Sequence, residues 1–549
     1  MKTWLKYTAV VAFTGFASAG LAQDVTLTAK DGTRSVSGKL VAAQPGKFII
    51  RSNIGVLSLD ADAFDCQGTA CPKVLPTNTD LVVAGAAGLA DILLPLVVEG
   101  FAAEQELLSD VFDLQGSPLG EQSEFSSLSD RGNATDEPSA FDILITDEDA
   151  NPVHNVLVKE ASGQGLFDTL ISQAGDLIIS EEPVTAENYV QARKNGLGEL
   201  TAFEQEHVLA VDGYTATVNP KNTLGTLTID QISQVMSGEI DNWQDLGGPD
   251  HKINVYTLPE ASEAFHRIDA LILSPQGRQA HSDTKTVRSV RALSRAIETD
   301  PYGFGVMRFS NIRDARPVPL RSECGIVHLP NQFAMKTEEY GLQNRVTAYN
   351  RRDLNGLSAS FVSFLDSPKI DGLVSKSGIT SLSVIEQDEA EKYHQLQADI
   401  ETMTDSANAT EVRSFVADRL TTTRLSTTFR FAPGSANLDN KAKRDIARIA
   451  DYIADVKPDR IVLAGFADAG GSFGTNRSLS LTRAKKVLRE LRNNVDQNGA
   501  ESTAIEVRGY GEMAPVACNT NPAGRAKNRR VEVWSEIRRS NADGLAWEG

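Results

Sequence analysis

The sequence predicts a multidomain chain of mixed α/β and α+β class, and three observations carry that expectation. Its 549 residues are enough for three or four domains at about 150 residues each. Between residues 81 and 382, short apolar runs alternate with longer helical patterns, as in α/β domains with mostly parallel strands. Residues 24–72 instead alternate apolar and polar positions between turn signals, the mark of antiparallel β-structure. Hydrophobic residues at 41% and charged residues at 23%, with 42 Gly and 21 Pro, exclude a disordered chain, a collagen and a membrane bundle.

The first 22 residues read as a signal peptide. Lys2 and Lys6 precede or flank a short apolar stretch, Tyr7 to Phe16, and small residues follow at Ala17, Ala19, Gly20 and Ala22. The apolar core is too short to span a bilayer of about 30 Å. The mature chain is expected to begin near Gly20 or Gln23, with no lipobox cysteine at the cut. Residues 23–76 form the small antiparallel β module, with alternation at Val25, Leu27, Phe48, Ile50, Leu57 and Leu59 and turns at Asp31-Gly32, Pro45-Gly46 and Asn53-Ile54-Gly55. It reads as a structural cap or a docking module. Cys66 and Cys71 enclose a small loop and are candidates for a disulfide in an oxidising compartment. Cys324 and Cys518 fall in different domains, and spacing leaves their pairing open. No Cys-x-x-Cys or His pair accompanies them, so metal ligation is not expected.

The run from Leu81 to Ala103 imitates a transmembrane helix, but Asp91, Pro95 and Glu99 interrupt it. The expectation is a buried strand over 81–84, a glycine turn over 85–88 and a helix over 89–107, with no transmembrane span in the mature chain. Further strands are expected at 141–145, 176–179, 208–211, 214–218 and 253–256, and helices at 165–173, 229–237 and 357–365. Asp212-Gly213 reads as a break between two strands.

Val218-Asn219-Pro220-Lys221-Asn222, followed by Met236-Ser237-Gly238-Glu239-Ile240 and Asn242-Trp243-Gln244-Asp245-Leu246-Gly247-Gly248, resembles the phosphate-binding proteins of ABC transporters (PstS type). Pro301-Tyr302-Gly303-Phe304-Gly305 adds to the likeness. The resemblance covers roughly 300 residues and implies a two-lobed periplasmic-binding-protein-like domain over 77–382 with a hinge.

A buried oxyanion needs hydroxyls, backbone N–H groups and an arginine fork. The loops that would supply them depart from the family. Gly85-Ala86-Ala87-Gly88 has lost its hydroxyls, Ser180-Glu181-Glu182-Pro183 places carboxylates where the family has an arginine, and Leu258-Pro259-Glu260-Ala261-Ser262-Glu263-Ala264 keeps one serine. Ser180 and Ser262, with Ser162 as a third, remain as candidate cleft ligands. The expectation is a degenerate cleft, either a scaffold or one changed to a neutral or cationic small solute. Residues 383–424 read as a helical linker of two amphipathic helices, with apolar spacing at Leu396, Ile400, Met403, Val412, Phe415, Val416 and Leu420.

Residues 425–540 are expected to form a β/α sandwich, with strands over 426–431, 460–463, 505–509 and 530–536 and helices over 441–456 and 479–492. Five motifs stand in order: Phe429-x-Phe431-x-x-Gly434-Ser435-Ala436-x-Leu438, Gly465-Phe466-Ala467-Asp468, Asn476-x-x-Leu479-Ser480-x-x-Arg483-Ala484, Gly509-Tyr510-Gly511 and Gly524-Arg525-x-x-Asn528-Arg529-Arg530-Val531-Glu532. They resemble the OmpA-like peptidoglycan-binding domain almost end to end. The resemblance implies peptidoglycan as partner through its diaminopimelate stem peptide, whose dipolar tip calls for one carboxylate and one guanidinium. Those roles map to Asp468 and Arg483, with Asn476, Leu479, Arg525, Asn528 and Arg529 lining or bracing the groove. Two departures are Phe466 and Ala467, where the family has histidine and threonine. A tail follows over 541–549.

The net charge is −19, which argues against a general nucleic-acid binder. Residues 425–540 carry 20 Lys/Arg against 13 Asp/Glu, leaving 34 against 60 elsewhere. The last domain is basic while the rest of the chain taken together is strongly acidic, as an anionic partner favours. No cofactor is implied and no enzyme is expected. The seven histidines are scattered, and two strings that imitate catalytic motifs, Gly470-Gly471-Ser472-Phe473-Gly474 and Ser282-x-x-Lys285, lack their companions. The sequence thus points to a periplasmic, non-enzymatic protein at the cell wall, within reach of the outer membrane. The alternative is a transport-linked solute receptor tethered to the wall. Oligomeric state is left open.

Overall fold

The computed structural model describes residues 24–44, 46–68, 71, 79–86, 88–113, 140–149, 151–260, 262–354, 356–402, 409–495 and 503–537. The signal peptide and the tail lie outside the described residues. The chain divides into two compact units. One gathers the β module with residues 106–119 and 141–156; the other holds residues 81–105 and nearly everything from 157 onward.

In the first unit, β1 (Asp24–Ala29), β2 (Ser35–Gln44), β3 (Lys47–Ser52), β4 (Gly55–Asp60) and β5 (Phe64–Gln67) form an antiparallel sheet in the order β4-β3-β2-β1-β5. Alternation places Val25, Leu27, Phe48, Ile50 and Phe64 in one core. Ile49, pointing the other way from β3, packs on Phe112 and Leu144 of a second antiparallel strand pair, Leu108–Asp113 and Ala140–Thr146. Cys66 and Cys71 form a disulfide.

The second unit begins with two lobes. β6 (Leu81–Gly85) runs parallel to β7 (Leu177–Ser180), as crossover connections require. β8 (Glu206–Val218) is the strand shared by the lobes: its first half pairs with β11 (Gln343–Asn350), which also pairs with β7, and its second half pairs with β10 (Gly303–Arg308). β10 in turn runs parallel to β9 (Asn254–Thr257). Lobe one packs around Ala84, Phe167, Leu170 and Ile178, and lobe two around Val218, Ile232, Trp243 and Phe304.

Two sequence expectations are corrected here. The supposed break at Asp212-Gly213 is continuous strand, with the ladder to β11 running through both residues. The Asp212 carboxylate accepts from the Gly213 N–H at 2.9 Å and from Ser310 Oγ at 2.6 Å, so it serves a neighbouring element rather than a turn. Gly213 is needed because a Cβ would lie 3.0 Å from the Leu342 carbonyl oxygen. The helix expected over 89–107 opens with a π-turn, Leu89–Leu93, that runs directly into α1 (Leu94–Glu104), with Pro95 at the junction where the regular ladder changes.

The OmpA-like region is a four-stranded sheet in the order β12 (Thr423–Arg430), β15 (Arg530–Glu536), β13 (Arg460–Gly465), β14 (Ala504–Gly509). Only β13 and β14 are parallel. One face carries α5 (Asn440–Val456) and α6 (Phe473–Val495) over a core of Phe429, Ile449, Leu463, Val487 and Val533. The other face, with Val462, Phe466, Tyr510 and Trp534, is covered by Leu396 and Phe415 of α3 (Glu389–Thr402) and α4 (Ala409–Thr421). The presumed linker is therefore a third layer of this domain. Its amphipathicity answers a strand such as Arg460–Gly465 that is apolar on both faces.

This region also docks on both lobes. On lobe one, Arg444 of α5 pairs with Asp366 at 2.6 Å and donates to the Glu206 carbonyl at 2.8 Å, and Arg448 pairs with Asp371 at 3.2 Å. On lobe two, Cys324 and Cys518 form a disulfide, and the buried Arg424 and Glu339 make an ion pair. Lys527 of α7 (Pro522–Asn528) donates to the carbonyls of Glu339 and Tyr340 at 3.1 and 3.0 Å. These contacts explain why the separate domains expected from sequence share one compact unit.

Candidate functional site

Two neighbouring glycines position the candidate residues. Gly465 ends β13 beside Gly509 at the end of β14. A Cβ on Gly465 would fall 2.2 Å from the Ser480 carbonyl oxygen, and one on Gly509 would fall 2.7 Å from that of Arg477. The α6 backbone therefore rests directly on the strand ends, which sets Asn476 and Arg483 at the edge of the sheet. Ser472 caps this helix, accepting from the Thr475 N–H at 3.3 Å. That is the local role of the serine in the string that imitates a nucleophile motif.

Arg483 is fully buried. Its Nε donates to the Ser435 carbonyl at 3.2 Å, its guanidinium lies 5.4 Å from the Phe431 ring centre, and its Nη1 has no hydrogen-bond partner among the described residues. Burial, then the charge of Arg529, pull its pKa down to about 10, against a smaller opposing effect of Asp468. Asp468 lies in the loop after β13 with 20% of its side chain exposed; it accepts from Arg529 Nη1 at 2.8 Å and from the Gly470 N–H at 3.1 Å. Arg529 also donates through Nε to the Phe431 carbonyl at 3.1 Å. The acid and the helix arginine expected to act together are thus joined through a second arginine, which orients Asp468 and crowds Arg483 with like charge.

The remaining positions divide by what they touch. Asn476 is buried and its side-chain amide bonds to Glu512, while Leu479 is half-buried. Arg525 Nη1 donates to the Asn519 carbonyl at 3.0 Å. Asn528 accepts from the N–H groups of Val516 and Ala517 at 2.9 and 3.0 Å and donates to the Ala517 carbonyl at 2.7 Å. Arg525 and Asn528 therefore brace the loop that carries Cys518.

In the cleft region two of the three serines, Ser180 and Ser262, serve their own turns, while Ser162 makes no side-chain cap bond. Ser180 Oγ accepts from the Glu182 N–H at 2.9 Å, Ser262 caps α2 (Glu263–Ile268) by accepting from the Phe265 N–H at 3.3 Å, and Ser162 stands at the N-cap of helix Gly163–Ile171. The three loops carry no arginine, but a neighbouring strand brings one against them. Arg308, at the end of β10, pairs through Nη2 with Glu181 Oε2 at 2.8 Å, donates from Nε to the Tyr214 hydroxyl at 3.2 Å, and lies against Gly88, whose Cβ would be 3.8 Å from Nη1. Burial works against its charge, but Glu181, Tyr214 and Asp212 hold its pKa above the ordinary value. The arginine was missed because it comes from a different strand, 127 residues from its partner. Burial pushes the Asp212 carboxyl up to about 6. Among the described residues no group of three or more His, Cys, Asp or Glu side chains could hold a metal ion, and no helix is long and apolar enough to cross a membrane.

Comparison with known proteins agrees with this architecture. Residues 430–529 match the OmpA family and residues 133–353 match a PBP superfamily domain. The chain is 26% identical over 254 residues to the phosphate-binding protein PstS of Bacillus subtilis, an alignment covering 46% of this chain and 80% of that protein. It is 39% identical over 89 residues to outer membrane porin F of Pseudomonas fluorescens and 40% identical over 86 residues to the peptidoglycan-binding protein ArfA of Mycobacterium tuberculosis. Each of these two alignments covers 16% of this chain and about a quarter of the relative, 26% and 25%. Among solved structures, an ABC-type phosphate transport receptor from Vibrio cholerae aligns at TM-score 0.39 and 16% identity, over 55% of this chain and 99% of that one. The chain joins a PstS-like domain of the PBP superfamily to a C-terminal OmpA-family domain. Both are families of binding proteins.

Proposed function

We propose that this is a periplasmic, non-enzymatic protein that holds peptidoglycan non-covalently through its OmpA-like domain and carries the PstS-like domain as a scaffold. The observation that carries this reading is the Arg483 guanidinium, buried with its Nη1 lacking a hydrogen-bond partner among the described residues. An unmet buried donor is costly in isolation, and a ligand carboxylate would meet it with a charge-assisted bond. Asp468, clamped by Arg529 but partly exposed, supplies the matching site for an ammonium. The diaminopimelate tip of the wall stem peptide carries both groups. Asn476 and Leu479 line the groove in this reading, and Arg525, Asn528 and Arg529 hold its walls. ArfA, a peptidoglycan-binding protein by name, supports the assignment through 40% identity over 86 residues. Two disulfides fit an oxidising compartment such as the periplasm, at the cell wall and within reach of the outer membrane.

The PstS-like cleft is read as silent toward phosphate, because its buried arginine is already paired with Glu181. The domain partition follows: signal peptide 1–22, β module 23–76, two-lobed domain 77–382, helices 383–424 and OmpA-like domain 425–540. The test is calorimetry of the full chain with a diaminopimelate-bearing stem peptide and with its lysine analogue, which lacks the side-chain carboxylate. Binding of the first, weakened by at least about tenfold in the second, is expected. Equal affinity for both would remove Arg483 from the site.

A further inference from the structure

We propose that the Glu181 carboxylate is a built-in occupant of the PstS-like cleft, seated on Arg308 where an oxyanion ligand would otherwise sit and tying the two lobes together in its place. This rests on the reading that the cleft takes up no phosphate and supplies its cause. Glu181 directly follows β7 of lobe one, and Arg308 ends β10 of lobe two. Their contact at 2.8 Å therefore crosses between lobes, with 1% and 9% of the two side chains exposed. Glu182, the next residue, makes a second crossing to Arg267 of α2 at 3.4 Å. The turn that presents both acids is fixed by Ser180, whose Oγ bonds to both the N–H and the carbonyl of Glu182.

The guanidinium is held from two sides. Nη2 meets Glu181, Nε meets the Tyr214 hydroxyl, and a Cβ added at Gly88 would lie 3.8 Å from Nη1. A carboxylate and a phosphate offer an arginine the same pair of oxygens, so they compete for one position. The tethered acid has the advantage of effective concentration. A phosphate that displaced it would leave a carboxylate buried without its partner. The charges of Asp212 and Glu263 act on Arg308 as well, and they too oppose a further anion. Glu181 Oε1 has no partner among the described residues, so this acid makes one contact where a phosphate, with more oxygens, would make several.

Removing the occupant should uncover the arginine. The experiment is calorimetry and thermal melting of the full chain with inorganic phosphate, comparing wild type with Glu181→Ala and the isosteric Glu181→Gln. The wild type is expected to give no heat and no shift in melting temperature at millimolar phosphate. Glu181→Ala should bind at least about a hundredfold more tightly than wild type and melt higher with phosphate present, and adding Arg308→Ala should abolish the gain. Folded Glu181→Ala and Glu181→Gln that ignore phosphate would overturn the inference while leaving the silent cleft intact. Phosphate binding by wild type would overturn the silent cleft itself. Unfolding of both variants without rescue by phosphate would also contradict the inference, since an occupant that stands in for a ligand must be replaceable by it.

Discussion

Arg308 and Arg483 are both buried guanidinium groups set beside acids, yet they are left in opposite states. At Arg308 the acid is in contact at 2.8 Å and the neighbouring charges hold the arginine firmly protonated. At Arg483 the nearby acid is held by a different arginine, Nη1 has no hydrogen-bond partner among the described residues, and the pKa falls to about 10. One site has satisfied its cation from within; the other has kept a donor unsatisfied at a cost in stability. An arginine in a cleft is thus no sign of a ligand until its partners have been counted.

Several measurements can break or sharpen that contrast. The largest stability effect is expected at a buried ion pair. Arg424→Ala strands Glu339 at the face between the OmpA-like domain and lobe two and should cost about 3–5 kcal/mol in chemical denaturation. A loss under 1 kcal/mol would mean that the domains do not dock in this way. Phe415→Ala, which empties the layer between α4 and Tyr510, Phe466 and Trp534, should cost about 3–5 kcal/mol. Next, Cys324→Ser with Cys518→Ser opens a staple across 194 residues and should cost about 2–4 kcal/mol.

The smallest effect is one of pH. The Asp212 carboxyl titrates near 6 in the folded chain, above its usual value near 4. The folded state therefore binds more protons than the unfolded state between these values, and stability falls as pH rises through that window. Below about 4 the contribution is fully present, and above about 6 it is gone. Asp212→Asn should flatten the stability profile between pH 4 and 6; an unchanged slope would place the acid in a more polar setting.

The strand–loop–helix run that carries Asp468 and Arg483 was legible because its glycines have a local steric reason, such as Gly465 under the Ser480 carbonyl. The β module was legible from alternation, as at Phe48 and Ile50. What escaped depends on partners distant in sequence. Asp212-Gly213 looks like a turn until Ser310 is known to use the carboxylate. The helices over 389–421 look like connectors until the second apolar face of β13 is seen to need them. Arg308 has no motif of its own, and its function follows wholly from Glu181. Arg529 was read only as one of the groove's lining or bracing residues; its clamp on Asp468 needs the sheet to bring residues 61 positions apart together.

The most direct test of wall binding is co-sedimentation of the full chain with purified diaminopimelate-type sacculi. The full chain is preferable to residues 425–540 alone, because that fragment would expose Phe466, Tyr510 and Trp534 and leave Cys518 without its partner. Wild type is expected in the pellet, Asp468→Ala and Arg483→Ala in the supernatant with the fold retained, and Glu181→Ala in the pellet as wild type is. Equal sedimentation of wild type and the folded Arg483→Ala protein would contradict the assignment of that unmet guanidinium as the anchor to the wall.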